Sequence, residues 1–340
     1  MDRYAGAHAR ERHPKGVSVL TTMLAAAIAV LTVLAPAGSV TADPEPTGER
    51  LKERVEQLHL EIGQLTEEYN GLRVRLQQAR KTAGAARGNL ARSEERLEER
   101  RQKAALLAGG SYMTGSLDSA LLLAFSTNPD GYLDRATMLH ELQLSHGEEL
   151  TELVNAMEAA KRASTLAEAR EAEVGSLVDE VEARRAKITA LVAKAETRLF
   201  REAAEEADSS RGRRTRVDVP IIGSGRAAQA AKWALTQQLK PYVWGAEGPN
   251  SYDCSGLVMA AFQTVGINLP HYTGNQWTSG THISKEELKP GDLVFFYKDL
   301  HHVGIYVGGG LMVHAPQSGD VVHVTPIDRR PFAGAVRIAD

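Results

Sequence analysis

An apolar heptad stripe sustained over about six heptads constrains this chain more than any other feature. Apolar residues recur in alternating steps of four and three, with Glu, Arg and Lys between them, and no proline falls between Pro46 and Pro129. This is the a/d pattern of a coiled coil, so the sequence predicts a long helix here. The members of the stripe are Leu51, Val55, Leu58, Ile62, Leu65, Tyr69, Leu72, Leu76, Ala79, Ala83, Ala86, Leu90 and Leu97.

A second helix-forming window lies between Pro129 and Pro220, from about residue 133 to residue 207. Its apolar stripe is less regular and comprises Leu150, Leu153, Met157, Ala160, Val174, Leu177, Val181, Ile188 and Leu191. Between the windows, the glycines at 109 and 110 are expected to break the first helix. A short helix over 117–125 and a turn over 128–131 should follow. We therefore predict a coiled-coil helical hairpin over residues 43–207, with its tip near 109–131. An a/d stripe serves pairing within or between chains, so the oligomeric state stays open.

The first 42 residues have the layout of an export signal. A net positive segment up to Lys15 precedes an uncharged apolar stretch from Val17 to Val40, and small residues follow at 41 and 42. This order predicts a secretory signal peptide over residues 1–42. A retained membrane anchor is the alternative, since the stretch is long enough to span a bilayer. Either way, most of the chain is expected outside the cytoplasm. A net charge of −3 gives no reason to expect a nucleic-acid partner.

The last third of the chain has a different character. Residues 208–225 are basic and irregular and are predicted to be an exposed linker. Residues 226–340 begin with two predicted helices and continue with five short β-rich segments, which is typical of an α+β domain with an antiparallel sheet. The helices are expected over 227–239 and 254–265, and the strands over 292–297, 302–307, 311–314, 321–325 and 333–338.

Cys254 is the only cysteine of the chain and directly precedes an apolar helical run. Either Asp253 or Ser251 can cap that helix, and a helix N-terminus favours a thiolate. His302 and His314 are twelve residues apart, with three glycines near the midpoint. A hairpin there would set both histidines on one sheet face, and an adjacent histidine completes the activation of a nucleophilic thiol. The spacing alone does not decide which histidine acts as base and which orients it.

Six short blocks in order give these residues a family context. The blocks are PYVWG at 241–245, YDCSGLV at 252–258, LPHYT at 269–273, LKPGDLVFF at 288–296, HVGIYV at 302–307 and HAP at 314–316. In order and spacing they resemble the NlpC/p60 cell-wall peptidases. The resemblance implies a papain-like α+β fold and hydrolysis of peptidoglycan stem peptides, usually at the bond between D-glutamate and meso-diaminopimelate.

The resemblance also implies roles for individual residues. Cys254 would be the nucleophile, His302 the general base and His314 the residue that orients it. Tyr242 corresponds to a tyrosine near the oxyanion site, and Asp253 and Ser255 correspond to positions associated with substrate recognition. Ala246 departs from the pattern, because the family often has a second glycine there. A requirement for a free N-terminal L-alanine on the substrate is left open.

The layout of the whole chain resembles wall hydrolases of actinobacteria and firmicutes that carry an exported coiled coil ahead of this domain. That likeness implies peptidoglycan as substrate, a secreted and wall-associated location, and a possible FtsEX-like membrane division complex that engages the coiled coil. A non-catalytic peptidoglycan-binding scaffold is the alternative function.

Other chemistry has little support in the sequence. A zinc site made of Cys254, His302 and His314 lacks the usual ligand spacing, so no metal and no cofactor are expected. Three further histidines of the domain, His271, His301 and His323, are interpreted as surface or structural residues.

Overall fold

The N-terminal part of the fold consists of two long helices. The structure is a computed structural model that describes residues 48–114, 129–197 and 214–340. Helix α1 spans Gly48–Thr114 and helix α2 spans Pro129–Ala195, each of 67 residues. The predicted signal peptide over 1–42 and the predicted short helix over 117–125 lie outside the described residues. Within the described ranges, no helix is long and apolar enough to cross a membrane.

The ends of the two helices differ from the expectation. Gly109 and Gly110 lie inside α1, so the predicted helix break at these glycines is wrong. A helical glycine costs only about 1 kcal/mol relative to alanine, which a long helix tolerates. Helix α2 already begins at Pro129, a first-turn position where the missing N–H of proline does no harm. Its last residue is Ala195, so the helix ends twelve residues earlier than the sequence suggested.

Helices α1 and α2 pack side by side and antiparallel. Ion pairs join Glu61 to Lys187, Glu68 to Arg184, Arg87 to Glu171 and Arg100 to Glu152, so positions rise along one helix as they fall along the other. Most of the predicted stripe is buried between the helices or against the rest of the chain. The buried stripe residues of α1 are Val55, Leu58, Ile62, Leu65, Leu72, Leu76, Ala79, Ala83, Ala86 and Leu97.

The stripe of α2 is buried only in part. Leu177, Val181 and Ile188 are buried in contact with α1. Leu150 and Met157, by contrast, are 58% and 48% exposed, so the expectation that they belong to the helix–helix core is wrong. The less regular spacing of this stripe agrees with its exposure, since most apolar side chains of α2 before Ala160 are exposed.

The C-terminal domain is α+β, as predicted. A six-stranded antiparallel sheet has the order β1-β6-β2-β3-β4-β5. The strands are β1 Thr281–Ile283, β2 Leu293–Phe296, β3 His302–Gly308, β4 Leu311–His314, β5 His323–Pro326 and β6 Phe332–Arg337. The helices are α3 Arg226–Thr236, α4 Cys254–Gln263 and α5 Thr273–Trp277, with 3-10 turns at Lys285–Glu287 and Ile327–Arg329. Strand β1 and helix α5 escaped the sequence analysis because each is too short to show a period.

Helix α4 is held on one face of the central strands. Its buried Leu257, Val258 and Phe262 belong to the same core cluster as Phe295 of β2 and Val303 of β3. The opposite face of the sheet is also covered, since Val294, Phe296 and Met312 form a second cluster. This packing fixes the first residue of α4 beside the start of β3, where the candidate site lies.

Part of the predicted linker is packed on the domain. The backbone N–H of Val217 donates to the side chain of Gln238 and its carbonyl accepts from the same side chain, both at 2.9 Å. Arg214 forms a 3.1 Å ion pair with Asp320. Val219 and Ile221 pack against the domain core. Residues 214–221 therefore lie along the domain surface, and residues 215–218 are exposed, as the sequence suggested.

Candidate active site

Cys254 is the first residue of α4, as the capping pattern predicted. Asp253 is the N-cap, and its carboxylate accepts a 2.7 Å hydrogen bond from the backbone N–H of Gly256. A side chain at Gly256 would collide with the carbonyl oxygen of Ala246, so only glycine lets the backbone come this close. The thiol thus sits where the helix macrodipole and unpaired N–H groups stabilise negative charge.

His302 and His314 are in direct contact. His302 Nε2 and His314 Nδ1 are 2.7 Å apart, across the β3–β4 hairpin. Both rings share one sheet face, as the even spacing predicted, although a bulge interrupts the pairing near the turn. Tyr242, Cys254 and His302 line one small cavity. The structure therefore brings together the predicted nucleophile, base, orienting residue and oxyanion-site tyrosine.

The histidine pair is neutral at physiological pH. Burial lowers the pKa of His302 well below its ordinary value, and the positive charge of Arg330 adds to the effect. Burial and the neighbouring His302 lower the pKa of His314 in the same direction. A neutral imidazole can accept a proton, which is what a general base beside a thiol requires.

The two predicted recognition residues are fully buried, and α1 contacts both of them. Ser255 Oγ donates a 2.6 Å hydrogen bond to the carboxylate of Glu67. Asn70 donates a 2.9 Å hydrogen bond to the carboxylate of Asp253, which also accepts from the backbone N–H of Gly245 at 2.9 Å. The side chains of Glu67 and Asn70 are 4% and 0% exposed, so a helix of the N-terminal region fills this part of the site.

Further contacts hold α1 over the site. The Glu67 carboxylate accepts a 2.8 Å hydrogen bond from the backbone N–H of Thr273 and lies 3.5 Å from the Cys254 sulfur. Around this centre, polar pairs join Gln64 to Asp299, Arg73 to Glu247 and His59 to Gln317. Cys254 itself is only 4% exposed. We call residues 59–73 of α1 the cover segment.

Sequence reasoning missed the cover segment, although two glycines marked it. Gly63 and Gly71 interrupt a helix whose outward positions are otherwise mostly charged. A Cβ at Gly63 would lie 3.4 Å from the ring of His301, and one at Gly71 would lie 3.2 Å from the ring of Tyr272. Glycine inside a helix lowers its stability, so each such position invites a search for a close neighbour. Gly84 and Gly88 of the same helix have no neighbour from another part of the chain, so the glycines alone did not locate the surface.

The cover segment keeps the thiol protonated. Burial raises the pKa of Cys254 well above its ordinary value, and the charges of Glu67 and Asp253 raise it further. The pKa of Glu67 is itself raised, first by burial and then by the nearby Asp253. A thiol is a poor nucleophile compared with its thiolate, so this arrangement holds the cysteine in an unreactive form.

His271 is part of the site, so its interpretation as a surface or structural residue has to be corrected. Its Nε2 lies 2.7 Å from the Asp253 carboxylate and its Nδ1 lies 3.0 Å from that of Glu247. Burial alone would lower the pKa of His271, but the two carboxylates raise it to about 9. The ring is therefore an imidazolium at neutral pH and balances the charge of Asp253.

His301 and His323, which had the same interpretation, are also buried. His301 stacks on Tyr297 and lies 2.6 Å from Asp299, a structural role. His323 lies 3.4 Å from His314, ring nitrogen to ring nitrogen, so it belongs to the site. Its isolation in the sequence, on an unremarkable strand, gave no signal of this contact.

Comparison with known proteins agrees with the resemblance seen in the sequence. Residues 239–338 match the model of the NlpC/P60 family. A probable endopeptidase of Mycobacterium tuberculosis is 45% identical over 109 residues, which is 32% of this chain and 28% of that protein. A probable endopeptidase of Corynebacterium glutamicum is 41% identical over 118 residues, 35% of this chain and 56% of that protein. The chain thus matches about a quarter to a half of these relatives.

Among solved structures, the P60 domain of a Mycobacterium avium subspecies paratuberculosis antigen is 30% identical, with a TM-score of 0.32 over 34% of this chain and 96% of that one. The family match and the endopeptidase-named relatives confirm the family resemblance for the C-terminal domain.

Proposed function

We propose that the NlpC/P60 domain at residues 239–338 makes this chain a cysteine peptidase that hydrolyses peptidoglycan stem peptides. The bond proposed is the one between D-glutamate and meso-diaminopimelate, and the role is wall remodelling or cell separation. One observation carries the proposal. A cysteine at a helix N-terminus shares a cavity with a neutral histidine that is hydrogen-bonded at 2.7 Å to a second histidine. The endopeptidase names of the relatives support the same reaction class.

The geometry supports acyl transfer through the thiol. His302 accepts the proton of Cys254, and the thiolate attacks the carbonyl carbon of the peptide bond. The oxygen of the tetrahedral intermediate is stabilised by the backbone N–H of Cys254 and by Tyr242. His302 then gives its proton to the leaving amine, and His314 keeps its ring oriented. Water, deprotonated by the same histidine, hydrolyses the thioester and restores the thiol.

Regulation is part of the proposal. In the arrangement described above, the cover segment occupies the surface formed by Asp253, Ser255 and Thr273, so a substrate cannot reach it. Activity therefore requires that α1 leave the site. Its departure removes the Glu67 charge and the burial that raise the pKa of Cys254, so opening exposes the thiol and favours the thiolate.

Location and partner complete the proposed role. A signal over residues 1–42 would deliver the chain to the wall, and an FtsEX-like membrane division complex could pull on the helical region to displace the cover segment. These proposals rest on the sequence pattern and on the closed site. Their test is peptide release by the full chain with and without the reconstituted complex.

The decisive experiment uses the full chain carrying Asn70→Asp, a change that weakens the cover segment and leaves Cys254, His302 and His314 in place. Digestion of purified sacculi, followed by mass spectrometry, should show release of peptides cut after D-glutamate. Adding Cys254→Ala should abolish release. Equal release with and without the thiol would refute the cysteine assignment. Binding to sacculi without release by any variant would instead favour the peptidoglycan-binding scaffold.

A further inference from the structure

Three buried histidines form a continuous line of hydrogen-bonding contacts. His302 Nε2 lies 2.7 Å from His314 Nδ1, and His314 Nε2 lies 3.4 Å from His323 Nε2. At the far end, His323 Nδ1 lies 2.8 Å from the carbonyl oxygen of Val321. All three side chains are at most 5% exposed. The reaction proposed above uses the first two rings and leaves the third without a role.

The carbonyl oxygen at the end of the line fixes where each proton lies. A carbonyl can only accept, so Nδ1 of His323 carries a hydrogen and, in the neutral ring, Nε2 is an acceptor. His314 must then donate from its Nε2, which leaves its Nδ1 as an acceptor. His302 must in turn donate from Nε2, which leaves its Nδ1 without a proton. That nitrogen is the one free to receive the proton of Cys254.

The geometry points to His323 as a positioning residue for this site, acting through His314 to hold His302 in the tautomer that can accept a proton. This inference rests on the proposed function, because it assigns His302 the role of base. When His302 takes up the proton, its Nε2–H donates to His314, and His314 in turn donates to His323. Each neutral ring thus accepts a hydrogen bond from the ring nearer to Cys254, which spreads the positive charge away from Cys254.

Protonation of His323 would reverse the line. A cationic His323 donates from Nε2, so His314 would have to accept there and donate from Nδ1, and His302 would be left protonated on the nitrogen needed for catalysis. Burial lowers the pKa of His323, and Arg214 and Arg330 lower it further against the opposing effects of the Val321 carbonyl and Asp320. The charged and titratable groups around the ring are Asp320, Arg214, Arg329, Arg330, Glu56, Tyr297 and His314.

The lengths of the contacts set the size of the effect. The 2.7 Å contact between His302 and His314 is short, whereas the 3.4 Å contact to His323 is longer than the usual value of about 3 Å. We therefore expect His323 to bias the tautomers rather than to determine them alone. Its loss should lower kcat about three- to tenfold, which is the scale of one modest hydrogen bond.

Two amide substitutions distinguish a role of His323 in the line of hydrogen bonds, which we call the relay, from a role in packing alone. Asn at position 323 can still donate to Val321 but is too short to reach His314, whereas Gln can place an oxygen near the original Nε2. The variants His323→Asn and His323→Gln are compared in the full chain carrying Asn70→Asp. Histidine ring ¹⁵N NMR reports the tautomers, hydrolysis of sacculi reports kcat and KM, and thermal unfolding checks that both variants fold.

We expect His302 and His314 to be protonated on Nε2 in the parent and in the Gln variant, and to become tautomer mixtures in the Asn variant. kcat should fall in the Asn variant with KM unchanged. Because an amide at position 323 does not protonate and so cannot reverse the line, the acid limb of the kcat profile should move to lower pH in the Gln variant. Unchanged tautomers in the Asn variant would overturn the inference, as would an equal loss of kcat in both variants.

The ring spectra also keep the two proposals apart. If the parent chain is shown to be open by alkylation of Cys254 and still hydrolyses no peptidoglycan, the proposed function fails, and the tautomers of His302 and His314 still decide whether His323 positions them. If the parent is active and the tautomers do not respond to His323→Asn, the relay fails and the peptidase assignment stands.

Discussion

The substitution Asn70→Asp should open the site, because it turns the most buried contact of the cover segment from attractive to repulsive. Asn70 is fully buried and donates to the Asp253 carboxylate at 2.9 Å and to Glu67 at 3.2 Å. Aspartate has the same shape, so packing is preserved. The donor is replaced by a carboxylate that faces two others.

The magnitude follows from the 2.9 Å separation between Asn70 and Asp253. Two unit charges at that distance repel by about 6 kcal/mol at an effective dielectric constant of about 20. The cationic His271, whose Nε2 lies 3.3 Å from the same Asn70 nitrogen, attracts the new carboxylate by about 5 kcal/mol on the same scale and offsets most of this repulsion. The lost hydrogen bond to Asp253 adds to what is left, so we expect the closed form to lose about 1–3 kcal/mol relative to the open form. At 1.4 kcal/mol per tenfold change, the open population should rise by about 5- to 150-fold.

The single thiol of the chain provides the assay. Cys254 is 4% exposed under the cover segment, so alkylation by iodoacetamide requires opening, and its rate reports the open fraction. The matched control is Asn89→Asp, which makes the same charge change at an exposed position of the same helix. Alkylation in Asn70→Asp no faster than in the wild type or in Asn89→Asp would refute the idea that this contact holds the site closed.

The remaining predictions concern pH and stability. Between the ordinary value of 4.5 and the raised pKa that Glu67 has in the closed form, the closed form keeps a proton which the open form releases, so raising the pH through this range weakens closure. The ratio of Cys254 alkylation rates, wild type over Glu67→Gln, should therefore rise with pH, and a constant ratio would contradict the assignment. Arg337→Ala leaves Asp292, 1% exposed, without its ion-pair partner and should lower the free energy of unfolding by about 3–5 kcal/mol in urea denaturation. Ile188→Ala empties a fully buried position between the helices and should destabilise them by about 2–5 kcal/mol, measured by circular dichroism.

Much of the fold could be predicted because its signals are local. The a/d stripe predicted the first helix, and five of the six strands fell on β-rich segments between turn residues. The geometry of the candidate site was also predictable, since the cap at Asp253 and the even spacing of His302 and His314 depend only on helix and strand periodicity. Boundaries were less accurate, as at Gly109, where the length of the helix outweighed the local cost of glycine.

The covered site was not predictable in the same way, because it depends on contacts between distant parts of the chain. Asn70 and Asp253 are 183 positions apart, and Glu67 and Ser255 are 188 apart. Glu67 and Asn70 fall between the apolar members of the heptad stripe, where polar residues normally face solvent. The partner surface forms only once the sheet, α4 and α5 are assembled, so no local period could reveal it. In the sequence itself, a glycine inside the helix at Gly63 was a sign that another part of the chain lies close to this surface.

The covered thiol has a consequence for the lifetime of the molecule. Oxidation of cysteine begins at the thiolate and needs access to the sulfur. In the closed form Cys254 is 4% exposed and its pKa is raised, so both requirements are suppressed together. If the chain works outside the cytoplasm as proposed, it has no second cysteine with which to form a protective disulfide. On the proposed function, the helix that keeps substrate from the site would also protect the thiol from oxidation until the site opens.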